Sequence, residues 1–515
     1  MRPATPSPRW SALAGLLIAA LPVPAPLAQA SDRALLAALD GRLAAAVAAG
    51  AGAAGGERRA VQAQYDAGRD LQEALGLAEP VSRACRPLAG AAARLARLEI
   101  LAAEGVDQID AAATAAARAG IPAEAAAIVR TRRACRPAPT PRRRPVAAID
   151  APRPREASFG DLSSRAPARA RTAELRADGR LVARLTVVRR RVRARLALPP
   201  GRHDLELRFL PASGGRPLAL ARSDGVWLLP RSARAAVPAR RVDSRLETRL
   251  RALAGGFAGR SALWAQDLTS GRAAGWNAEA RFPAASTVKI GLLVAALERL
   301  GRAPERSPLF ADLEAMATRS SNLATNRLLP RLGGSEAAGA ALAQLALRRL
   351  GAAGSTFPAG YLIGSELQPA LPPGRVEDPP PASWRVTTAR DLARALFAIQ
   401  AAAVGGRRAR VGTGLGRHQA RVALGLLLST VPGGDNLGLF RQRLGPSVPA
   451  AQKHGWTTSV RHSAAIVYSR GGPLIVVCLT YRPGLVDRQA VALGGGLIGL
   501  VADRRAFGVS LPRSG

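Results

Sequence analysis

Lysine occurs at two positions in this 515-residue chain, 289 and 453, although 74 residues are lysine or arginine; the other 72 are arginine. The two lysines stand in Ser286-Thr287-Val288-Lys289 and Lys453-His454-Gly455-Trp456. Given the serine and glycine content, chance would set two lysines in a Ser-x-x-Lys and a Lys-x-Gly roughly one time in 200. Guanidinium stays protonated at any useful pH, whereas a lysine ammonium can give up its proton when buried. If both lysines do chemistry, the fold must bring two stretches far apart in sequence to a shared cleft.

Ser286 and Lys289 are three residues apart, hence on one face of a helix. Pro283 stands just before that helix, where a missing amide proton is harmless. Ile290 to Leu297 is apolar except for Gly291, so the helix must be buried. Desolvation disfavours the charged amine, and Lys289 can then take the proton of Ser286 as that hydroxyl attacks a carbonyl. Between the two lysines lies Ser320-Ser321-Asn322. It supplies a hydroxyl, Ser320, to relay a proton to a leaving nitrogen, and an amide, Asn322, to hold substrate. Lys453-His454-Gly455 reads as an edge strand on which Gly455 lets substrate lie close. The amides of Trp456 and Ser286 would form an oxyanion hole, each donor being worth ~3 kcal/mol.

The order Ser286-x-x-Lys289, Ser320-x-Asn322, Lys453-x-Gly455 resembles the signature of the penicilloyl serine transferases, the class A β-lactamases and the D,D-peptidases of the same fold. The resemblance covers residues 245 to 512. Asn326 is similar to a second asparagine of class A enzymes, and Thr387-Thr388 with Asp391-Leu392-Ala393 to their post-loop helix. It implies an α+β domain, a five-stranded antiparallel sheet flanked by helices, and an acyl-enzyme on serine. It also implies no metal or cofactor, and a small β-lactam or a D-Ala-D-Ala-like peptide as substrate. The class A deacylating loop Glu-x-x-Leu-Asn has no counterpart between Asn326 and Thr387, where Glu366 and Glu377 are the glutamates nearest that loop. His454 replaces the hydroxyl residue that binds the substrate carboxylate, a bond a histidine can also donate. Arg461 and His462 lie near where the family often places a further carboxylate-binding cation. The short span from Ser286 to Ser320 implies a trimmed helical subdomain and an open cleft.

A chain of this length divides into about three domains. Residues 1–30 carry Arg2 and Arg9, the apolar run Ala12 to Leu21 and the ending Ala28-Gln29-Ala30, the pattern of a signal peptide; export to periplasm or cell exterior follows. Residues 31–136 have the composition and periodicity of an all-α accessory domain, with breaks at Gly50 to Gly56, Glu79-Pro80, Gly105 and Gly120-Ile121-Pro122. Cys85 and Cys135 sit in the same pentapeptide, which suggests helix ends brought side by side, although pairing is left open. The prolines and Arg142-Arg143-Arg144 of residues 137–156 make a stiff linker. Short alternating strands separated by turns predict a small β-sandwich over 157–242, and the β-lactamase-like domain occupies 243–512.

Cys478 reads as a buried strand residue, and the cysteine and histidine spacings suit no metal. A net charge of +38 spread over every segment without interleaved aromatic residues argues against a specific nucleic-acid site. It leaves weak attraction to an anionic cell envelope. No Gly-x-Ser-x-Gly elbow occurs, and Gly412-Thr413-Gly414-Leu415-Gly416 lacks the flanking strand, lysine and helix of a phosphate loop.

Overall fold

A computed structural model describes residues 35–37, 39, 58–77, 85–108, 110–135, 160–212, 217–363, 385–405, 407–429, 438–444, 448–485 and 487–502. The expected signal peptide, the linker, Glu366 and Glu377 lie outside these residues. The chain forms two compact units. One comprises residues 1–144 with 321–327 and 361–370; the other comprises 145–320, 328–360 and 371–515.

The first unit is built on helices α1 (Arg58–Leu77), α2 (Arg86–Asp107) and α3 (Ala111–Arg132). Leu71, Leu88, Leu95, Ile121 and Ile128 form its core. The Asp110 carboxylate accepts the Ala113 N–H at 2.9 Å and so starts α3. Two expected breaks are absent, because α2 runs through Gly105 and α3 through Pro122. A side chain at Gly105 would collide with Thr114, so this glycine allows α3 to pack closely. Burial of Ala117, Ile121 and Ala125 holds α3 together across Pro122. Cys85 and Cys135 are bonded, with Cα atoms 4.3 Å apart. Closing a loop of that length stabilises the fold by about 4 kcal/mol in the chain-entropy account.

The second unit opens with strands β1 (Asp161–Arg165), β2 (Thr172–Ala177), β3 (Arg180–Thr186), β4 (Arg191–Arg195), β5 (Gly201–Leu210) and β6 (Ala219–Leu228). They form a four-stranded sheet, β3-β2-β5-β6, and a two-stranded sheet, β1-β4. Leu162 and Val192 of the small sheet share a core with Leu175, Leu207 and Phe209 of the large one.

After these come β7 (Arg241–Val242), α4 (Ser244–Gly255), β8 (Arg260–Asp267), β9 (Arg272–Trp276), β10 (Phe282–Pro283), α5 (Lys289–Leu300), α6 (Phe310–Thr318) and α7 (Asn322–Gly333). Next are α8 (Glu336–Arg349), β11 (Val386–Thr387), α9 (Ala389–Val404), α10 (Arg407–Thr413), α11 (Arg417–Leu428) and α12 (Arg441–Leu444). The edge strand β12 (Ala450–Trp456), β13 (Val460–Ser469), β14 (Gly472–Tyr481) and α13 (Asp487–Ala502) complete it.

The sheet order is β12-β13-β14-β8-β9-β7. Its first five strands are antiparallel, and the short β7 adds a sixth, parallel to β9, that the sequence reading did not include. One face, with Leu263, Ala265, Val476 and Cys478, packs under α4 and α13 through Leu246, Leu250 and Leu497. On the other face the Tyr468 hydroxyl donates to Gln400 of α9 at 2.9 Å. Cys478 is fully buried and burial raises its pKa. Among the described residues no helix is long and apolar enough to cross a membrane.

Candidate active site

The segment leading into Ser286 is fixed by its neighbours. β10 pairs with β11, and the Ala284 N–H donates to the Arg385 carbonyl at 2.9 Å. His462 Nε2 donates to the Pro283 carbonyl at 2.7 Å while its Nδ1 accepts the Thr480 N–H at 3.2 Å. Burial lowers its pKa to about 4. It is therefore a neutral imidazole with one nitrogen donating and the other accepting, and it cannot be the extra cation expected near Arg461. β11 is held in turn by a buried group: Ser355 Oγ lies 2.8 Å from Thr387 Oγ1 and donates to Asp391 at 2.9 Å.

Ala285 then adopts φ +47°, a left-handed conformation that costs a residue with a Cβ about 1–2 kcal/mol. Thr287 Oγ1 donates to the Ala284 carbonyl at 2.6 Å and steadies that turn. Ser286 follows, half-buried. The bonds Lys289 N–H to Ser286 O (3.2 Å) and Gly291 N–H to Val288 O (2.9 Å) make a tight turn that leads into α5. Residues 289 to 297 are all buried. At Gly291 a Cβ would meet Leu347 and the Ala343 carbonyl at 2.6 and 2.8 Å, so glycine is what allows α5 to press against α8.

Lys289 is 1% exposed. Its Nζ donates to the Ser320 carbonyl at 2.6 Å. Ser320 also has positive φ, +63°, and its Oγ accepts from Lys453 Nζ at 2.7 Å. The only two lysines in the sequence thus meet on one serine, one at its carbonyl and the other at its hydroxyl. Lys453 is 2% exposed, and its Nζ also donates to the His454 carbonyl at 3.0 Å. Burial lowers its pKa to about 7, so near neutrality it can both hold and release a proton.

On β12, Gly455 lies directly against the serine turn: a Cβ there would stand 2.9 Å from Ser286 N and 3.1 Å from the Ala284 carbonyl. Two bonds fix the phase of the β12–β13 ladder, Thr457 N–H to Val460 O (3.1 Å) and Tyr468 N–H to Pro449 O (2.9 Å). With pairing alternating residue by residue, Trp456 turns its N–H away from β13, off the open edge of the sheet. The Trp456 amide is therefore outside the ladder, on the strand whose Gly455 lies against Ser286 N.

His454 is not part of this group. Strand alternation puts it on the opposite face from Lys453, where its Nδ1 bonds Ser463 Oγ at 2.9 Å and Gly438 covers its ring. It is 3% exposed, and burial followed by the charges of Lys453 and Arg441 lowers its pKa to about 3. The expected bond from His454 to a substrate carboxylate has no side chain in place to make it. Arg461 donates to the carbonyls of Thr457 and Val460 and stacks on the Trp456 ring at 5.6 Å. Asn322 and Asn326 belong to the first unit. There their side-chain amides donate to Leu362 O and Tyr361 O, each at 2.9 Å, and the Tyr361 N–H returns to Asn326 at 2.7 Å. Among the described residues no group of three His, Cys, Asp or Glu could hold a metal ion.

The sequence model of the β-lactamase enzyme family matches residues 245–307 and 303–497. The carboxy-terminal half of the chain belongs to the β-lactamase enzyme family. Solved structures similar to it include PBP-A, at 20% identity and TM-score 0.40 over 52% of this chain and 99% of that one. A β-lactamase from Desulfarculus baarsii gives 23% identity and TM-score 0.38 over 52% and 98%. One from Xanthomonas campestris pv. campestris gives 22% and 0.37 over 50% and 97%. None of the curated proteins compared matches the chain. In this β-lactamase-family chain, the supporting contacts of His462 with Pro283 and of Ser355 with Thr387 and Asp391 are what the sequence does not announce: His462 is expected there as a cation, and Thr387 and Asp391 only as part of the post-loop helix. Their partners are far away along the chain, and no local spacing marks them.

Proposed function

We propose that the protein is an exported serine hydrolase of the class A β-lactamase type, which opens a β-lactam amide through an acyl-enzyme on Ser286. The observation that carries this reading is the meeting of Lys289 and Lys453 on Ser320, beside the turn that presents Ser286. Lys289, desolvated, takes the Ser286 proton as the oxygen bonds the lactam carbonyl carbon. The amides of Ser286 and Trp456 receive the negative charge that forms on the carbonyl oxygen. As the C–N bond breaks, the Ser320 hydroxyl protonates the leaving nitrogen and is re-protonated by the Lys453 ammonium. Water later hydrolyses the ester and returns the serine. Export rests on the pattern of residues 1–30, and weak attraction to an anionic envelope on the net charge of +38.

A second reading, a D,D-peptidase or a slow penicillin binder, is favoured by one feature: no Glu-x-x-Leu-Asn string lies between Asn326 and Thr387. Intact-mass measurement after mixing with benzylpenicillin tests both. The expected result is a single covalent adduct, absent in Ser286→Ala, that decays with steady turnover. An adduct that persists favours the second reading. If the native protein and Ser286→Ala are equally unlabelled, the acyl-enzyme reading is wrong.

A further inference from the structure

Residues 321–327 carry the second half of the Ser320-x-Asn322 motif, yet they belong to the unit built on the amino-terminal helices. Asp66, Asp70 and Glu73 fall at i, i+4 and i+7 on α1, which makes one stripe of the helix. All three turn to Arg327. Its Nη2 lies 2.7 Å from Asp70 and 2.7 Å from Glu73, and its Nη1 lies 3.7 Å from Asp66. Arg327 is 4% exposed, so this is a buried cation ringed by carboxylates.

Two further bonds act on the same segment. Asp107, the last residue of α2, accepts the Asn322 N–H at 3.0 Å, and Gln62 Nε2 donates to the Leu323 carbonyl at 3.2 Å. The first N–H groups of a helix have no acceptor within it, and their positive end favours an anion. Ser321 Oγ, just before the helix, accepts the Ala324 N–H at 3.1 Å. Asp107 satisfies Asn322 from another element.

We propose that α1 and α2 are a built-in clamp on the motif-bearing turn, with Arg327 and Asp107 as positioning residues for turnover. The consequence for turnover rests on the acyl-enzyme reading; the clamp itself does not. The charge pattern predicts an asymmetry. Removing the arginine leaves like charges facing one another, whereas neutralising one acid leaves the guanidinium beside the other carboxylates.

The test uses the full chain with Arg327→Met, Asp107→Ala, Glu73→Gln, and a neutral quadruple variant that adds Asp66→Asn, Asp70→Asn and Glu73→Gln to Arg327→Met. Hydrogen exchange of the amides of 322–327 is read without substrate, and acylation by benzylpenicillin by intact mass. Arg327→Met and Asp107→Ala should each raise exchange at 322–327 by about tenfold or more while β12 to β14 stay protected. Both should slow acylation about tenfold. Glu73→Gln should change either by less than about threefold, and the neutral quadruple variant should recover most of the loss. Unchanged exchange in both Arg327→Met and Asp107→Ala overturns the clamp. Raised exchange with unchanged acylation overturns its role in turnover, as does a loss of acylation that only follows unfolding of β12 to β14. If the native protein forms no adduct, the acyl-enzyme reading fails and the exchange data still judge the clamp.

Discussion

On one face of β12, Lys453 reaches the Ser320 hydroxyl and Gly455 lies against the Ser286 amide; on the other, His454 bonds Ser463 beneath Gly438. These residues are consecutive, and all three are buried or packed against backbone. What separates them is strand parity, which alternates side chains between faces. The middle residue of Lys453-His454-Gly455 can offer the cleft its backbone, as its carbonyl does to Lys453, but not its ring. A short motif on a strand is therefore two sets of residues with different surroundings: one set meets Ser320 and the Ser286 turn, and the other supports the sheet on the face under α4 and α13.

The largest break in that contrast should come from Lys453. On the proposed mechanism Lys453→Met removes the group that re-protonates Ser320, and it should then lower kcat/KM by about 10³-fold, within the range for a lost general acid–base partner. Its pH behaviour sharpens the point. Burial lowers the Lys453 pKa to about 7, against about 10.4 in an unfolded chain. Between these values the unfolded chain binds the extra proton, so the Lys453 contribution to stability rises with pH from about 7 to about 10.4, opposed above about 8.5 by the Cys478 thiol, which burial keeps protonated in the folded chain. Activity should run the other way and fall above pH ~7 as the ammonium is lost. Unfolding by denaturant at pH 7 and pH 9 checks the first; a kcat/KM profile checks the second. In Lys453→Met the rise in stability should vanish. Next in size is Gly455→Ala, whose methyl would stand 2.9 Å from Ser286 N. A shift of that turn should cost about 100-fold in acylation and about 1–3 kcal/mol of stability, because backbone must give way; an unaffected rate would mean Gly455 does not bound the cleft.

Much of what surrounds Ser286 is legible in the sequence. Two lysines among 72 arginines could be singled out because no packing need distinguishes them from arginine on a surface. The edge strand, its hairpin partners and the buried helix after Ser286 were written in local period and turn residues. The expectation for His454 fails because position within a motif ignores strand alternation, which along Lys453-His454-Gly455 sets it opposite its neighbours. The two-residue pairing of β10 with β11, the parallel β7 and the hold of His462 on Pro283 had no local signal. Each depends on a partner far away in the chain. Arg327 was hidden for the same reason: its carboxylates lie on α1, where they look like an ordinary solvated stripe.

The smallest expected effect is also the most discriminating, because it replaces His454 by the kind of residue that would stand there if its side chain faced substrate. His454→Thr should leave KM for benzylpenicillin within about twofold, since neither side chain reaches the cleft from that face. Its effect should fall on stability, about 1–2 kcal/mol from the lost ring and its lost bond to the Ser463 hydroxyl, which keeps only the Leu439 N–H. Burial lowers His454 to about 3 and His462 to about 4, against about 6.5 unfolded. Stability is therefore lost as pH falls from about 6.5 towards those values, because the unfolded chain takes up protons that the folded one refuses. His454→Thr should make that acid loss shallower without abolishing it, since His462 still refuses its proton. Denaturant unfolding at pH 7 and pH 5 reads both numbers. A several-fold change in KM with unaltered stability would mean that position 454 serves the cleft face after all, and the division of β12 into two faces would fail.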